Sequence, residues 1–190
     1  ADFDGNGRAD LVWRNDTTGE TAIWLMDGTT FVSGAVVLAN PGWSIALTGD
    51  FDGNGTTDLA WRNASTGQVA LWLMNGLTRS SGAIVLVDPD WIPTHAADFT
   101  GDGRADLVWR NTATGATSLW LMNGLAMTGG GSATNAGSTV TAVGDYNADG
   151  RADLVWHNAS TGVTEMWLMD RLTPLSTATL LVSTWWSVRP

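Results

Sequence analysis

The fold is decided by the stretch Asp2-Phe3-Asp4-Gly5-Asn6-Gly7-Arg8-Ala9-Asp10-Leu11-Val12-Trp13-Arg14-Asn15, because close copies of it recur along the chain. The copies begin at Asp50, Asp98 and Asp145, so the steps between them are 48, 48 and 47 residues. A fixed period of this length is typical of repeat architectures. We therefore predict four repeats, numbered 1 to 4 from the loops that begin at residues 2, 50, 98 and 145.

Each repeat continues with segments that have the composition of short β-strands. In repeat 1 these segments are Leu11–Arg14, Thr21–Met26, Ala35–Leu38 and Trp43–Thr48. The second segment is apolar on both faces, which is typical of a strand covered on both sides. Four antiparallel strands in about 48 residues are what one propeller blade requires. The sequence therefore predicts an all-β propeller of four-stranded blades.

The C-terminal segment resembles the strand that the first repeat lacks. Repeat 1 lacks the strand that precedes the other Asp-rich loops, and the C-terminal segment Thr184–Val188 is similar to Trp43–Ile45. We expect this segment to complete the first blade, which would remove an exposed sheet edge. The prediction is a single domain over residues 1–190. It forms a four-bladed ring, or an eight-bladed ring if two chains form a homodimer.

The composition excludes several classes of partner. The chain has 19 acidic residues against nine arginines, no lysine and a formal net charge of −10, which argues against nucleic acid and anionic membranes as partners. It has no cysteine and no apolar run of membrane-spanning length. The chain begins at Ala1 instead of Met, and we expect an extracellular or cell-surface protein. No Ser-His-Asp set, glutamate pair or histidine cluster recurs, so we do not expect an enzyme.

The Asp-rich loops have the pattern of cation sites. Counting the first Asp as position 1, oxygen-bearing side chains occupy positions 1, 3, 5 and 9, and the carbonyl of position 7 can join them. Oxygen-only shells suit hard cations, above all calcium. We predict about four Ca²⁺ ions, one per loop, with the ligands Asp2, Asp4, Asn6, Arg8 and Asp10; Asp50, Asp52, Asn54, Thr56 and Asp58; Asp98, Thr100, Asp102, Arg104 and Asp106; and Asp145, Asn147, Asp149, Arg151 and Asp153.

Electrostatic repulsion favours this prediction over solvated turns without metal. Every loop carries three carboxylates, although one of them moves from position 3 in repeats 1 and 2 to position 5 in repeats 3 and 4. Two carboxylates about 4 Å apart repel by roughly 4 kcal/mol at an effective dielectric constant near 20. Without a cation the loops should therefore open. Four divalent ions would also neutralise most of the net charge.

Tryptophan is the second unusual feature, with twelve in 190 residues. Trp24, Trp72, Trp120 and Trp167 precede Leu-Met, and we predict that they fill the interfaces between blades. A second set follows each loop and combines an aromatic ring with planar donors, which suits either packing or a sugar. These candidate ligand residues are Trp13, Arg14 and Asn15; Trp61, Arg62 and Asn63; Trp109, Arg110 and Asn111; and Trp156, His157 and Asn158.

The asparagines of this second set end the first strand of each repeat. Asn15, Asn63 and Asn158 lie in Asn-x-Ser/Thr sequences, which can accept glycans. Asn111 holds the same place without that sequence. We therefore predict that all four serve as turn residues.

The pattern Asp-x-Asp-Gly-Asn-Gly-x-x-Asp-Leu resembles the FG-GAP or VCBS type of calcium-binding propeller repeat, over all four periods. That family includes integrin α-subunit heads, bacterial surface proteins and some fungal lectins. The resemblance implies that the loop joins the first two strands of a blade and that the metal is structural. The chain differs in having Trp-Arg-Asn where the family often has Gly-Ala-Pro, and four repeats where about seven are common. These differences argue against integrin-style partner binding.

Together these features predict a calcium-stabilised propeller that binds carbohydrate at several equivalent sites. Equivalent sites give avidity, which offsets weak affinity at each site. One alternative is a non-catalytic structural or adhesive module of a larger extracellular protein, with protein partners. Another is the accessory domain of a secreted enzyme.

Overall fold

The structure is a computed structural model that describes residues 1–186. This part of the chain is all β, with fifteen strands. It contains no helix, and therefore none that could cross a membrane. The predicted Thr184–Val188 strand lies partly outside the described residues, and residues 184–186 are not in a strand.

The chain divides into two compact units, of which the first comprises residues 1–89 and 124–126. It holds a three-stranded sheet of order β1-β2-β3 and a four-stranded sheet of order β4-β5-β6-β7. All pairings are antiparallel. The strands are β1 (Leu11–Asn15), β2 (Glu20–Asp27), β3 (Thr30–Ala39), β4 (Ser44–Gly49), β5 (Asp58–Asn63), β6 (Gln68–Asn75) and β7 (Thr78–Val87).

Within the described residues, the second unit comprises residues 90–123 and 127–186. It holds two four-stranded antiparallel sheets, of order β8-β9-β10-β11 and β12-β13-β14-β15. The strands are β8 (Trp91–Ala97), β9 (Asp106–Asn111), β10 (Thr117–Asn123), β11 (Ala126–Ala133), β12 (Thr139–Gly144), β13 (Asp153–His157), β14 (Val163–Asp170) and β15 (Thr173–Val182). The predicted all-β fold is confirmed, because the four sheets are consistent with four blades.

The outer strand is longer than predicted. In repeat 1 it runs from Thr30 to Ala39, whereas the apolar run indicated only Ala35–Leu38. Its pairing with β2 shifts register between Thr21 and Ala22 and again between Leu25 and Met26. Each shift moves side chains to the other face of the sheet, so the alternation that identifies a strand in sequence is broken.

Each unit has its own apolar core between its two sheets. In the first unit, Phe3, Ile23, Leu59, Trp61 and Met74 form a buried cluster. The second unit buries the equivalent set: Phe99, Leu119, Leu154, Trp156 and Met169. Each core therefore combines residues from two consecutive repeats, which places the Asp-rich loops and their following strands at the junction of the two sheets.

Candidate functional site

Position 1 of each Asp-rich loop organises the loop backbone. Asp2 accepts the Gly5 N–H on Oδ1 and the Gly7 N–H on Oδ2, both at 2.8 Å. Gly5 and Gly7 have φ of 72° and 80°, a region that disfavours other residues. Repeats 2 and 3 repeat this geometry, while repeat 4 has Ala148 in place of the first glycine, at φ 62°. The carboxylate at position 1 thus holds a tight turn, as a cation loop requires.

Position 5 makes a second turn inside the loop. The Asn6 side-chain oxygen accepts the Arg8 N–H at 2.8 Å, and Asp102 accepts the Arg104 N–H at 2.9 Å. The equivalent bonds occur in the other two loops. Coordination by the carbonyl of position 7 stays a prediction.

The arginines at position 7 make exposed ion pairs. Arg8 contacts Asp27 at 3.0 Å, and Arg151 contacts Asp170 at 3.4 Å. Asp27 and Asp170 end the second strands of their repeats. Exposed pairs of this kind contribute at most about 1 kcal/mol. They add little to the attachment of the loop.

The carboxylates converge most closely in the first unit. Oxygen atoms of Asp2, Asp4 and Asp10 lie within 4.8 Å of one another, and those of Asp50, Asp52 and Asp58 do the same. In repeats 3 and 4, position 3 is Thr100 or Asn147, and within the described residues no such triplet forms there. Hard oxygen donors at this spacing fit Ca²⁺. The loops of repeats 1 and 2 are therefore the best-formed candidate metal sites.

The position-9 aspartates have a role that the loop pattern did not indicate. Asp10 accepts the Phe3 N–H at 2.7 Å on one oxygen and the Met26 N–H at 2.8 Å on the other. The same pair of bonds, at separations of 7 and 16 residues, recurs at Asp58, Asp106 and Asp153. Each of these buried carboxylates ties its loop to the second strand of the same repeat.

Burial changes the acidity of two of these carboxylates. Burial raises the pKa of Asp58 to about 6, against the lowering effect of the Met74 and Phe51 N–H donors. The pKa of Asp106 rises to about 6 for the same reason. The other loop carboxylates add a smaller repulsion in both cases. At the exposed Asp145, hydrogen bonds from backbone N–H groups, first that of Gly150, lower the pKa. A cation would favour the ionised form of all three groups.

The loops also touch the next repeat. The Phe3 side chain is fully buried, and its carbonyl accepts the Gly76 N–H at 2.9 Å. The Asp2 carbonyl accepts the Thr57 N–H at 2.7 Å. In the second unit, the Asp98 carbonyl accepts the Ala152 N–H at 2.6 Å. In both units a loop is therefore hydrogen-bonded to the repeat that follows it.

The structure packs three of the four candidate ligand tryptophans inside the protein. Trp61, Trp109 and Trp156 are each only 1% exposed, whereas Trp13 is 49% exposed. Each ring lies about 5 Å from the second-strand tryptophan of its own repeat, as in the 5.1 Å pair of Trp61 and Trp72. A sugar cannot stack on the three buried rings in this geometry. Ligand binding by the Trp-Arg-Asn set stays a prediction. Trp13 is the one tryptophan of this set whose ring is exposed.

The polar members of the same set form hydrogen bonds within the protein, most of them with backbone groups. Arg62 donates to the Pro89 carbonyl at 3.0 Å, and Arg110 donates to the Ser138 carbonyl at 2.9 Å. Arg14 bonds to the Gly19 carbonyl, and the His157 ring to the Thr164 hydroxyl. The side-chain oxygens of Asn15, Asn63, Asn111 and Asn158 accept N–H groups two and three residues ahead, which confirms the predicted turns.

Each unit has a cavity beside a buried tryptophan. The first has a volume of about 280 Å³, and its lining includes Asn40, Trp43, Trp61, Trp72 and Arg79. The second has a volume of about 300 Å³, and its lining includes the equivalent residues Asn135 and Trp156. Within the described residues, the buried indole N–H groups of Trp61, Trp109 and Trp156 have no hydrogen-bond acceptor, and Trp109 lines neither cavity. Apart from Ala133, Asn135 and Trp156, the second cavity is lined by residues whose counterparts do not line the first, so the two cavities are different sites. The first cavity, which is lined by three tryptophans, is the candidate ligand site.

Four blade-like sheets, with an Asp-rich loop at the first strand of each repeat, define a repeat protein of the β-propeller type. A family model described as FG-GAP-like repeat matches residues 2–61, 50–109 and 98–156. The chain therefore belongs to the FG-GAP-like repeat family, and the predicted resemblance is confirmed. These repeats are typical of propeller-type binding or adhesive modules, and the family is generally non-catalytic. No curated protein matches the chain.

Proposed function

We propose that this chain is a calcium-stabilised, extracellular binding module that recognises carbohydrate at several equivalent sites. Membership of the FG-GAP-like repeat family supports a binding or adhesive module. The observation that carries the carbohydrate proposal is the tryptophan-lined cavity of the first unit.

The cavity offers the two contacts that a sugar ring needs. Trp43 presents a partly exposed indole ring for the C–H face of a pyranose. The exposed Arg79, which lies 4.6 Å over the Trp72 ring, offers planar N–H donors to sugar oxygens. The volume lies near the lower end of small-molecule sites, about 300 Å³, so we expect a single sugar residue to enter.

Calcium would stabilise the folded loops and would not contact the sugar. Asp2, Asp4, Asn6 and Asp10 would hold one ion in the first loop, and the equivalent residues would do so in the other loops. When bound, the ion supplies positive charge that offsets carboxylate repulsion. Because the unfolded loops have no preformed site, calcium would stabilise the folded protein. The predicted number of ions is four, with the tightest binding at the converged triplets of repeats 1 and 2.

The test is a glycan array probed in calcium, and again in a chelator at a temperature where the protein stays folded. Binding to a related group of sugars would support the proposal. The variant Trp43→Ser removes the partly exposed ring of the first cavity and introduces the residue that stands at the equivalent position 138, so it should weaken binding at that cavity.

Trp13→Ser is the matched control, because Trp13 is the exposed member of the other candidate set. If Trp13→Ser abolishes sugar binding and Trp43→Ser does not, the site lies at Trp13, Arg14 and Asn15 and the cavity assignment is wrong. If folded, calcium-loaded protein binds no glycan, the carbohydrate proposal fails.

A second candidate function is a non-catalytic adhesive module with a protein partner. Leu11, Trp13 and Trp24 expose apolar side chains on one face of the first sheet, and exposed apolar patches commonly mark interaction surfaces. A blank glycan array would favour this candidate.

A further inference from the structure

The cavity of the first unit carries a single charged side chain. Among the described residues that line it, Arg79 is the only charged one. Arg79 is exposed, and among the described residues it forms no ion pair. The arginines at position 7 of loops 1, 3 and 4, in contrast, each pair with an aspartate. The cavity therefore presents one positive charge that no acidic residue of its lining neutralises.

The guanidinium of Arg79 is positioned by the second-strand tryptophan of its repeat. Its Cζ atom lies 4.6 Å from the centroid of the Trp72 ring, within the range of a cation–π contact. Gly82 pairs with Trp72 across the two strands, and a Cβ atom there would lie 2.9 Å from the Trp72 Cδ1 atom and 3.4 Å from the Arg79 Cδ atom. The bare backbone at Gly82 therefore leaves room for both side chains. A guanidinium placed in this way keeps N–H donors at its edge for a ligand.

The other repeats place an apolar residue where repeat 2 has Arg79. The equivalent residues, each seven positions after the second-strand tryptophan, are Phe31, Met127 and Pro174. In repeat 1 the Phe31 ring packs against the Trp24 ring, with their centroids 5.0 Å apart. Packing beside this tryptophan therefore does not require an arginine. The positive charge at Arg79 belongs to one cavity, and the packing of the repeat does not explain it.

A neutral donor lies in the same lining. Asn40 lines the cavity from the end of repeat 1, and its Oδ1 atom accepts the Gly42 N–H at 2.9 Å. Because this bond uses the amide oxygen, the NH2 group of Asn40 remains as a donor. The lining thus combines a cation, an amide donor and the aromatic ring of Trp43, and it offers no acidic acceptor. This combination suits a ligand that is negatively charged and has an apolar face.

We propose that the sugar bound in this cavity carries a carboxylate, as uronic acids and sialic acids do, and that Arg79 binds this carboxylate. The inference rests on the proposed function, because it specifies the class of sugar that the same cavity takes. The planar fork of a guanidinium matches the two oxygens of a carboxylate, and charge strengthens each hydrogen bond. Arg79 is therefore the residue that determines specificity, while Trp43 contributes stacking to neutral and acidic sugars alike.

The test uses pairs of sugars that differ only in the carboxylate. A glycan array in calcium compares glucuronic acid with glucose, galacturonic acid with galactose, and N-acetylneuraminic acid with its methyl ester. Isothermal titration calorimetry on the intact chain then measures the dissociation constants of the best-bound acid and its neutral partner. We expect the acid to bind about tenfold more tightly, near the lower end for hydrogen bonds to charged groups, because water screens the exposed Arg79.

Two variants separate the charge of Arg79 from the net charge of the chain. Arg79→Gln should bind the acid and its neutral partner with similar affinity, because it keeps polar donors but loses the charge. Arg171→Gln is the matched control and should keep the preference, because it removes the same charge from an exposed arginine outside the cavity lining. Both side chains are exposed, so each variant should fold, which circular dichroism checks.

The outcomes distinguish this inference from the proposed function. Carbohydrate binding stands but the carboxylate proposal is overturned if the unchanged chain binds both members of each pair equally, or if Arg79→Gln keeps the preference. It is also overturned if Arg171→Gln loses the preference as strongly, or if glucose 6-sulfate binds more tightly than glucuronic acid. An array on which the folded, calcium-loaded chain binds no glycan overturns both proposals.

Discussion

Asp10→Ala should destabilise the protein even when no calcium is present. Asp10 is buried and accepts two backbone N–H groups, from Phe3 and Met26. Alanine would leave both donors buried without an acceptor, at about 1–3 kcal/mol each. Removing the carboxylate also removes the cost of burying it, so we expect a net loss of about 2–4 kcal/mol in the free energy of unfolding. Urea denaturation in a chelator measures this loss.

Asp4→Ala is the control in the same loop. Asp4 is an exposed candidate metal ligand whose side chain accepts one N–H, from Asn6 at 3.2 Å. It should lower stability in calcium but have little effect in the chelator, whereas Asp10→Ala should lower stability in both. If the two variants lose the same stability in the chelator, the structural role assigned to Asp10 is wrong.

Three further predictions concern metal, pH and packing. Adding a chelator should lower the melting temperature measured by calorimetry, since each ion at 100 times its dissociation constant contributes about 2.7 kcal/mol; an unchanged value would contradict the calcium sites. In the chelator, the contribution of Asp58 and Asp106 to stability should be fully present below about pH 4 and lost as the pH rises through about 6, because burial raises both pKa values from 3.8 to about 6 in the folded state. Denaturation curves of the Asp58→Asn, Asp106→Asn double variant should show a smaller loss of stability across that window. Trp61→Ala should cost about 3–5 kcal/mol and Trp13→Ala much less, because only Trp61 is buried; equal losses in denaturation midpoint would contradict this difference.

The fold could be predicted because the repeat period matches the length of one four-stranded blade and because the strand segments have a β-forming composition. Leu11–Arg14 and Thr21–Met26 each lie within an observed strand, and the turn at Asn15 forms through its own side chain. The register shifts in the outer strand could not be predicted. The segment Thr30–Gly34 carries no apolar alternation from which the register of β3 could be read.

The candidate site was only partly predictable, because some of its contacts join segments that are distant in sequence. The spacing of Asp2, Asp4 and Asp10 is enough to predict that their carboxylates converge, because all three lie in one short loop. The bond from Asp10 to the Met26 N–H joins the loop to the far strand of a hairpin, which loop spacing alone does not specify. Trp13 and Trp61 have nearly the same neighbours in sequence, yet one is exposed and the other buried. That difference depends on whether another repeat packs against the residue, and no local pattern records it.

The loop geometry gives a physical reason for an acidic segment at this place in the repeat. The Asp2 and Phe3 carbonyls bond to the following repeat, and the Asp10 carboxylate bonds to the second strand of its own repeat. The loop is therefore a connector between two sheets, and its conformation decides whether both sets of bonds can form. Carboxylate repulsion alone would favour an open loop. A cation that closes the loop would therefore add its binding free energy at the junction between repeats, where each unit's core is formed by two sheets that have no covalent crosslink.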